Sequence, residues 1–374
     1  MRSLLITNIN TIWTTEYISN VLKKAGVDVY IVGFEPVEDE YKEYYLKNDI
    51  HIIDLCANGN NNNKIAKMWK LYNKVKKLSK AEKFDCIDIQ GIPSSIQVYI
   101  LIYLTNHFAT KCICTFLGSD LFRVKSNKRV KKLMRVATHI VLSTNDMQDE
   151  FRMKYGQSFD SRISDCKFGT PSFEEIKSLK QNSSKEQCKE VMGFPQNKIS
   201  VAIGYNGNAE QQHLRVVKQL NQLDIVLKDK IHLIIHFGYG DDNVIYKNEL
   251  LDLIRASNFD YTFIDKMLNK QEIAYLRMAT DIFIHAQTTD ALSGSIREII
   301  YAECILINPR WIEYSDFNDL GIDYIQYDDF IDLPDLLCKI INKEIQIKTK
   351  NNAELAYSKY SWESVANQWM EIYD

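Results

Sequence analysis

Short runs of apolar residues alternate along this chain with longer stretches in which apolar positions recur every three or four residues. The short runs are typical of strands buried on both faces of a parallel sheet, and the longer stretches of helices that cover it. In the first half the runs predict strands at Ser3–Thr7, Asp28–Val32, Ile50–Ile53, Cys86–Gln90, Cys112–Phe116 and His139–Ser143. Helices are predicted at Glu16–Ala25, Asn63–Ala81 and Lys128–Ala137.

The same alternation starts again near residue 199, after the polar stretch 156–196, where we expect the link between two domains. Strands are predicted at Ile199–Gly204, His232–Phe237, Tyr261–Ile264, Ile282–His285 and Cys304–Asn308. Helices are predicted at Gln211–Gln222, Lys247–Ser257, Gln271–Met278 and Ser295–Ala302. Because 374 residues exceed one ordinary core, the pattern predicts two α/β domains.

Composition narrows the class of protein. A hydrophobic content of 45% with 25% charged residues is that of a soluble globular protein, and a net charge of −3 argues against a general nucleic-acid binder. The first ten residues lack the features of a signal peptide, and no apolar run is long enough to span a bilayer. We therefore expect a cytoplasmic protein whose eight cysteines are mostly buried thiols.

Two turns after predicted strands of the second half carry candidate binding residues. In the first, Gly204, Asn206 and Gly207 precede a helix bearing His213, so that the backbone and the imidazole could contact a phosphate. Glycines that only make a turn are the alternative. The spacing is not G-x-G-x-x-G, so a dinucleotide fingerprint is not predicted.

The second turn leads into a helix with small residues at its start. Ser293, Gly294 and Ser295 are placed to hold a diphosphate through N–H groups and hydroxyls, and Glu298 to accept hydrogen bonds from ribose hydroxyls. A capping box without a ligand is the alternative. If Glu298 binds ribose, Glu298→Ala is expected to weaken donor binding far more than it weakens the fold.

Asp290 and Glu298 have the spacing of the two acids in the E-x7-E motif, and the chain here resembles glycosyltransferase family 4 and related retaining GT-B enzymes. The first acid is Asp, and the usual Gly and Pro after the motif are replaced by Glu303 and Ile305. The resemblance implies a nucleoside diphosphate-sugar as donor substrate, no further cofactor, and Asp290 as a catalytic acid.

Other segments resemble the same family in chain order. They are the strand at His139–Ser143, the crossing point at Phe168–Pro171 and the terminal helix start at Tyr360–Val365. The resemblance implies the GT-B fold, two Rossmann-like domains with a cleft between them and a C-terminal helix that crosses back to the first domain. The domains are then 1–170, with helix 358–374 packing on it, and 171–357.

A weaker likeness is to bacterial 4-acetamido-4,6-dideoxygalactosyltransferases, carried by the Gly-Tyr-Asn-Gly…His and Thr-Asp-x-x-Ser-x-Ser patterns. The first family implies retention and the second inversion, so the stereochemistry stays open. The family's Arg–Lys pair after the first strand of the second domain is not clearly present, and Tyr205 and Asn206 stand near the Arg position. Lys266, Arg215 or His213 would then have to neutralise the phosphates.

The first domain offers an acceptor side. Asp120 follows a predicted strand and is a candidate general base for an inverting reaction, or a residue that only orients the acceptor, with a helix cap as the alternative. Ser119 and Arg123 flank it, and the resemblance places this turn near the reacting sugar. The loop after the first strand is expected to contact the acceptor through three residues, Asn8, Asn10 and Thr11.

Two further features bear on partners. No D-x-D triplet and no metal-ligand spacing of histidines occurs, so we predict a metal-independent site. The segment Lys64–Lys83 carries eight lysines opposite an apolar stripe that includes Trp69, so an anionic membrane surface is a candidate partner. A helix packed on the core with a solvated face is the alternative.

The sequence thus predicts a glycosyltransferase of hexosyltransferase type that acts on a glycan or lipid-linked oligosaccharide in bacterial surface polysaccharide biosynthesis, such as O-antigen or capsule. It is expected to be cytoplasmic or peripheral on the inner membrane. A sugar-nucleotide epimerase of the same fold and a pseudo-transferase that binds sugar without turnover are the alternatives.

Overall fold

The computed structural model describes residues 1–56, 64–240 and 243–373. The chain divides into two compact units, the first made of residues 1–169 and the segment from 362 onward, the second of residues 170–361. The chain thus leaves the first unit at Gly169–Thr170 and re-enters it at Ser361–Trp362. The boundaries expected from the sequence lie at 170 and 358.

In the described part of the first unit, the strands form one parallel sheet of seven. They are β1 Arg2–Ile6, β2 Asp28–Gly33, β3 His51–Asp54, β4 Phe84–Gln90, β5 Ala109–Thr115, β6 His139–Val141 and β7 Ile163–Ser164. Their order, β3-β2-β1-β4-β5-β6-β7, reverses direction between β1 and β4. The carboxyl ends at such a reversal form the usual ligand site of an open α/β sheet.

Helices connect these strands. They are α1 Ile12–Tyr17, α2 Asp39–Lys47, α3 Lys64–Leu78, α4 Gln97–Phe108, α5 Ser119–Phe122, α6 Lys128–Val136 and α7 Asn145–Tyr155. A π-helical turn at Ile18–Leu22 continues α1, and a 3-10 turn spans Gln157–Arg162.

The described part of the second unit repeats the architecture with a parallel sheet of six strands. They are β8 Ile199–Ile203, β9 Ile231–His236, β10 Asp260–Ile264, β11 Ile282–Ile284, β12 Ile305–Pro309 and β13 Ile325–Tyr327. The order β10-β9-β8-β11-β12-β13 reverses between β8 and β11.

The helices of the second unit begin directly after the chain crosses. They are α8 Phe173–Asn182, α9 Lys185–Met192, α10 His213–Leu220, α11 Ile225–Asp229, α12 Val244–Arg255, α13 Lys270–Ala279, α14 Gly294–Tyr301, α15 Ser315–Leu320, α16 Leu333–Ile341 and α17 Thr349–Tyr360. Alternate strand residues enter different cores: Ala202 and Phe283 pack in one, and Ile203 and Ile284 in the other. The sheet is therefore buried on both faces, as the continuous apolar runs predict.

The last helix, α18 Trp362–Tyr373, belongs to the first unit. The Trp369 indole donates to the Lys167 carbonyl (2.8 Å), and the Tyr373 hydroxyl donates to the buried Asp88 carboxylate (2.6 Å). The predicted return of a C-terminal helix to the first domain is confirmed. The helix begins at residue 362 and not at 358, because Ser361 is extended and interrupts it.

Several predicted elements need correction. The polar stretch 156–196 is largely helical, because Phe173, Ile176 and Leu179 recur at helical spacing and turn one side of α8 into the core. The predicted helix Glu16–Ala25 begins earlier, at Ile12, where the Thr11 side chain caps it. Residue 63, the predicted start of the lysine-rich helix, lies outside the described residues.

Candidate functional site

The loops after β8 and β11 meet at the reversal point of the second sheet. Gly204 directly follows β8 and lies in the left-handed region (φ 65°), and Gln212 (φ 54°) and Leu292 (φ 59°) adopt the same region although they carry side chains. The Gln212 amide donates to the Ala286 carbonyl (2.7 Å) and joins the two loops. Strained backbone held by surrounding structure is typical of binding sites, and here it falls where the fold predicts one.

Helix α14 begins at this point with its N–H groups uncapped by a side chain. Ser293 is the N-cap residue, yet its side chain makes no capping hydrogen bond. Its buried hydroxyl lies near the Tyr205 hydroxyl but makes no hydrogen bond of normal geometry with a described residue. Gly294 is buried and Ser295 is half-buried. Free N–H groups and an unused hydroxyl at a helix start are suited to bind an anion.

The loop after β8 lies close to the loop after β9. The Gly207 N–H donates to the Tyr239 carbonyl (2.6 Å), and a Cβ at Gly207 would stand 2.8 Å from the Phe237 ring. The Tyr239 hydroxyl lies within reach of Asn206 and Ser295. Asn206 is itself buried, and its side-chain amide oxygen Oδ1 accepts the Asn208 N–H (3.0 Å). The structure therefore brings the predicted residues of both turns together, with Tyr239 between them.

Asp290 is held by the protein. Its carboxylate accepts the Tyr314 hydroxyl (2.7 Å), the Ser293 N–H (3.1 Å) and the Tyr205 hydroxyl (3.4 Å). Burial, with the Asp290 charge next to them, raises the pKa of both tyrosines well above the usual value. Both remain donors at neutral pH. The carboxylate thus fixes the loop in front of α14, and its predicted catalytic role stays a prediction.

Glu298 is buried on the first turns of α14 and has two protein partners. The Ser172 hydroxyl donates to Oε1 (2.6 Å), and the Arg277 Nε donates to Oε2 (3.1 Å). The Arg277 side chain is 2% exposed. Each carboxylate oxygen keeps a further lone pair for a ligand, so ribose binding by Glu298 remains a prediction. Arg297 on the same helix donates to the Leu292 carbonyl (3.0 Å) and braces the strained residue.

Each of the three side chains expected to neutralise phosphate already has a partner in the protein. His213 is fully buried, and its Nδ1 contacts the Tyr246 hydroxyl (3.2 Å). Burial lowers the pKa of His213 to about 3, so the imidazole is neutral. Lys266 is exposed and forms an ion pair with Glu272 (2.5 Å). Arg215 stacks over the Phe330 ring at 4.0 Å. The expectation that one of them neutralises the phosphates stays a prediction.

The first unit has a cavity of about 270 Å³ at the carboxyl ends of its central strands. Asn8, Thr7, Gln90, Gln97 and Glu35 supply its polar lining. The Thr7 hydroxyl donates to the Gln90 amide oxygen (3.2 Å) and orients it on the cavity wall. Sequence reasoning found Asn8 but missed the other four, although Thr7 follows β1 and Gln90 ends β4 at the reversal point and both are placed by the same rule.

The other two residues of the predicted acceptor loop have structural partners. The Asn10 amide donates to the Pro36 carbonyl (2.8 Å), and its oxygen accepts the Glu38 N–H (3.0 Å). Thr11 caps α1 by accepting the Trp13 N–H (3.4 Å). Both side chains therefore hold the loop that presents Asn8.

Asp120 braces its turn. One carboxylate oxygen accepts the Ile92 N–H (2.7 Å) and the other the Leu117 N–H (2.9 Å). Burial raises the pKa of the Asp120 carboxyl above its usual value, although these hydrogen bonds act to lower it. The neighbouring Ser119 and Arg123 are exposed. Asp120 therefore has a structural role, but it is not the helix cap weighed as the alternative, because Gly118 is the N-cap residue of α5. A role as general base stays a prediction.

No group of three or more His, Cys, Asp or Glu side chains placed to hold a metal ion occurs among residues 1–56, 64–240 and 243–373. No helix in the same part of the chain is long and apolar enough to cross a membrane.

No family model matches the sequence, and neither does any curated protein. Solved structures match along the whole chain. A glycosyltransferase from Rickettsia africae superposes with a TM-score of 0.75 at 15% identity, covering 100% of this chain and 97% of its own. Anabaena HepE in complex with UDP-glucose gives 0.71 at 12% identity, covering 99% and 98%. UDP-GlcNAc 2-epimerase from Neisseria meningitidis gives 0.64 at 12%, covering 100% and 98%. At these identities the likeness shows the fold, which is GT-B.

Proposed function

We propose that this protein is a glycosyltransferase that moves a sugar from a nucleoside diphosphate donor to a glycan or lipid-linked oligosaccharide. The observation that carries the proposal is the uncapped start of α14, which lies beside the strained loop at Gly204 at the reversal point of the second sheet. The anion that such a helix start fits is a diphosphate. Anabaena HepE, which shares the fold, binds UDP-glucose, and this likeness supports the donor class.

In the proposed reaction, the departing diphosphate is stabilised by fixed dipoles. The N–H groups at Gly294 and Ser295 and the hydroxyl of Ser293 would receive its charge without a metal ion. Because these donors are held by a helix and by the Asp290 hydrogen bonds, little reorganisation is needed when charge develops. Glu298 would bind the ribose, and the cavity containing Asn8 would receive the acceptor.

Release of nucleoside diphosphate from a panel of UDP-, GDP- and dTDP-sugars tests the proposal. One donor is expected to be hydrolysed slowly by the purified protein, and faster with bacterial surface glycan or its lipid-linked precursor added. A hexose donor is expected, with the product serving O-antigen or capsule synthesis. A Ser293→Ala, Ser295→Ala double variant should lose most of this activity while keeping the thermal midpoint, because neither hydroxyl caps the helix.

A second candidate is a pseudo-transferase that binds the donor without turnover. The observation that favours it is the engagement of both predicted catalytic acids, Asp120 by two backbone N–H groups and Asp290 by two tyrosines. Binding of a nucleoside diphosphate without hydrolysis or transfer of any donor sugar would support this candidate over the transferase. Epimerase activity would appear instead as a new sugar isomer in the same reactions.

An anionic membrane surface is part of the proposal, but the structure changes which residues would contact it. Lys70 and Lys74 donate to the carbonyls of Leu55 (3.4 Å) and Asp54 (2.6 Å). Trp69, placed by the sequence on an apolar stripe, is 58% exposed. It joins exposed Ile65, Tyr99 and Tyr103 on neighbouring α3 and α4, a group that we call the aromatic face.

The aromatic face suits the interface of a bilayer, where aromatic rings sit at headgroup depth and nearby lysines attract anionic lipid. Lys132 lies over the Tyr99 ring at 5.3 Å and supplies one such charge. Vesicles with 30% phosphatidylglycerol should bind the protein, and Trp69→Ser with Tyr103→Ser should reduce binding at least tenfold. Met153→Ser, a control at a 75% exposed residue away from these helices, should not. Equal binding by all variants would refute the proposed contact.

A further inference from the structure

His236 is the last residue of β9, and its ring has no hydrogen-bond partner among the described residues. The side chain is 2% exposed, and neither Nδ1 nor Nε2 meets a donor or acceptor. A neutral imidazole carries one N–H donor and one acceptor nitrogen. Buried polar groups in folded proteins nearly always have partners, so a ring with two unused nitrogens indicates a partner that the chain alone does not supply.

The ring stands at the same edge of the sheet as the candidate donor site. The Tyr239 ring lies 5.8 Å from it, and the Tyr239 hydroxyl reaches Ser295 at the start of α14 and Asn206 in the loop after β8. Ile234, two residues earlier on the same side of β9, packs in the core that also contains Ile296 and Ile300 of α14. His236 is therefore placed close to the residues that would surround a nucleotide.

The charges around the ring keep it neutral. Burial, and then the nearby Arg277 guanidinium, lower the pKa of His236 to about 3. Glu298 neutralises that guanidinium at 3.1 Å, so the region holds one compensated ion pair and one uncharged ring. A neutral ring offers a hydrogen bond without adding charge, which suits a hydroxyl, a carbonyl or a phosphate oxygen.

We propose that His236 is a contact residue of the nucleoside diphosphate, with its ring N–H donating to an oxygen of the ligand. This inference rests on the proposed function and adds a residue that the sequence did not single out. His213, the histidine that the sequence did suggest, differs because one of its nitrogens already has a partner in Tyr246.

The test is His236→Phe, which keeps a flat ring and removes both nitrogens. Because His236 gives up no intramolecular hydrogen bond, the ligand-free variant should melt at the same temperature as the parent or higher. Its affinity for the nucleotide that the parent binds best among UDP, GDP and dTDP should fall about tenfold or more, measured by calorimetry. His236→Met, a flexible replacement, serves if the phenylalanine ring does not fit.

His232 provides a matched control on the same strand. It is also 2% exposed, but its Nε2 contacts the Thr262 hydroxyl at 3.0 Å, at the other end of β9. His232→Phe should therefore lower the melting temperature of the ligand-free protein and leave nucleotide affinity unchanged.

The outcomes separate the two claims. If the parent binds none of the three nucleotides, the proposed function fails and this inference with it. If the parent binds one of them and both His236 variants bind it equally tightly, the inference alone is overturned. A melting temperature lowered in both His236 variants as much as in His232→Phe would also overturn it, because the ring would then have a structural partner.

Discussion

Removing the Glu298 carboxylate is expected to destabilise the second unit strongly. Glu298→Ala leaves the Arg277 guanidinium, with a side chain 2% exposed, without its carboxylate, and leaves the Ser172 hydroxyl without its acceptor. Removing one partner of a buried ion pair lowers the free energy of unfolding by about 3–5 kcal/mol. For a unit of this size the loss corresponds to roughly 6–20 °C in the melting temperature. The sequence-based expectation that this variant would mainly affect donor binding is therefore revised.

Three companion variants isolate the cause. Glu298→Gln keeps an acceptor for Ser172 and should lose less stability than the alanine variant. Replacing both partners, as in Arg277→Met with Glu298→Met, should recover most of the loss, because no unpaired charge stays buried. Asp335→Ala breaks the exposed pair with Lys339 in the same unit and should change stability far less than Glu298→Ala does.

Calorimetric melting of the four proteins and the parent measures these differences directly. Glu298→Ala within about 1 kcal/mol of the parent would refute the reasoning, since the guanidinium would then have another partner or access to water. A double variant that is less stable than Glu298→Ala would refute it as well.

Three other predictions follow from single carboxylates and from the helix start. Burial raises the pKa of Asp88 to about 6, so folding favours the neutral carboxyl. The stability that this protonation contributes is fully present below the unfolded pKa near 4 and is lost as pH rises through 6. The stability of Asp88→Asn relative to the parent should rise by at most about 3 kcal/mol between pH 4 and 7. Melting temperatures of the two proteins that change with pH in the same way across that range would contradict this. Asp120→Asn should lose about 1–3 kcal/mol in urea denaturation, since an amide has one oxygen for two N–H donors; unchanged stability would contradict the structural role of Asp120. Donor hydrolysis should persist in excess EDTA, and full loss restored by Mg²⁺ would overturn the metal-free account.

The sequence predicted eleven of the thirteen strands in the described part of the chain, because a strand buried on both faces is a continuous apolar run, and it missed the short strands β7 and β13. The predicted run at His232–Phe237, for example, corresponds to β9 at Ile231–His236. It missed α8 and α9 because lysines and glutamates dominate the composition there, and only Phe173, Ile176 and Leu179 mark the buried side. The high polarity of the whole stretch hid the helical spacing of those three apolar positions.

The sequence predicted well which residues lie at the candidate site, because the order of the strands decides their location. It predicted less well the roles that depend on side-chain partners. Ser293 and Gly207 lie at the reversal point because strand order requires it. The partners of Glu298 could not be predicted, since Ser172 is 126 residues away in the chain. His236 was passed over because it ends an apolar run and carries no local motif. Only its burial without a partner distinguishes it, and a sequence does not report that.

Hydrogen–deuterium exchange with and without nucleotide tests the central claim most directly, because it reports where a nucleoside diphosphate binds. With the best-bound member of UDP, GDP and dTDP at saturation, the account predicts slower exchange at the backbone N–H groups of residues 204–208, 236–240 and 293–298. Exchange elsewhere in the second sheet, such as β13, should change little. Protection confined to the first unit, or no protection at the start of α14 under saturating nucleotide, would contradict the account.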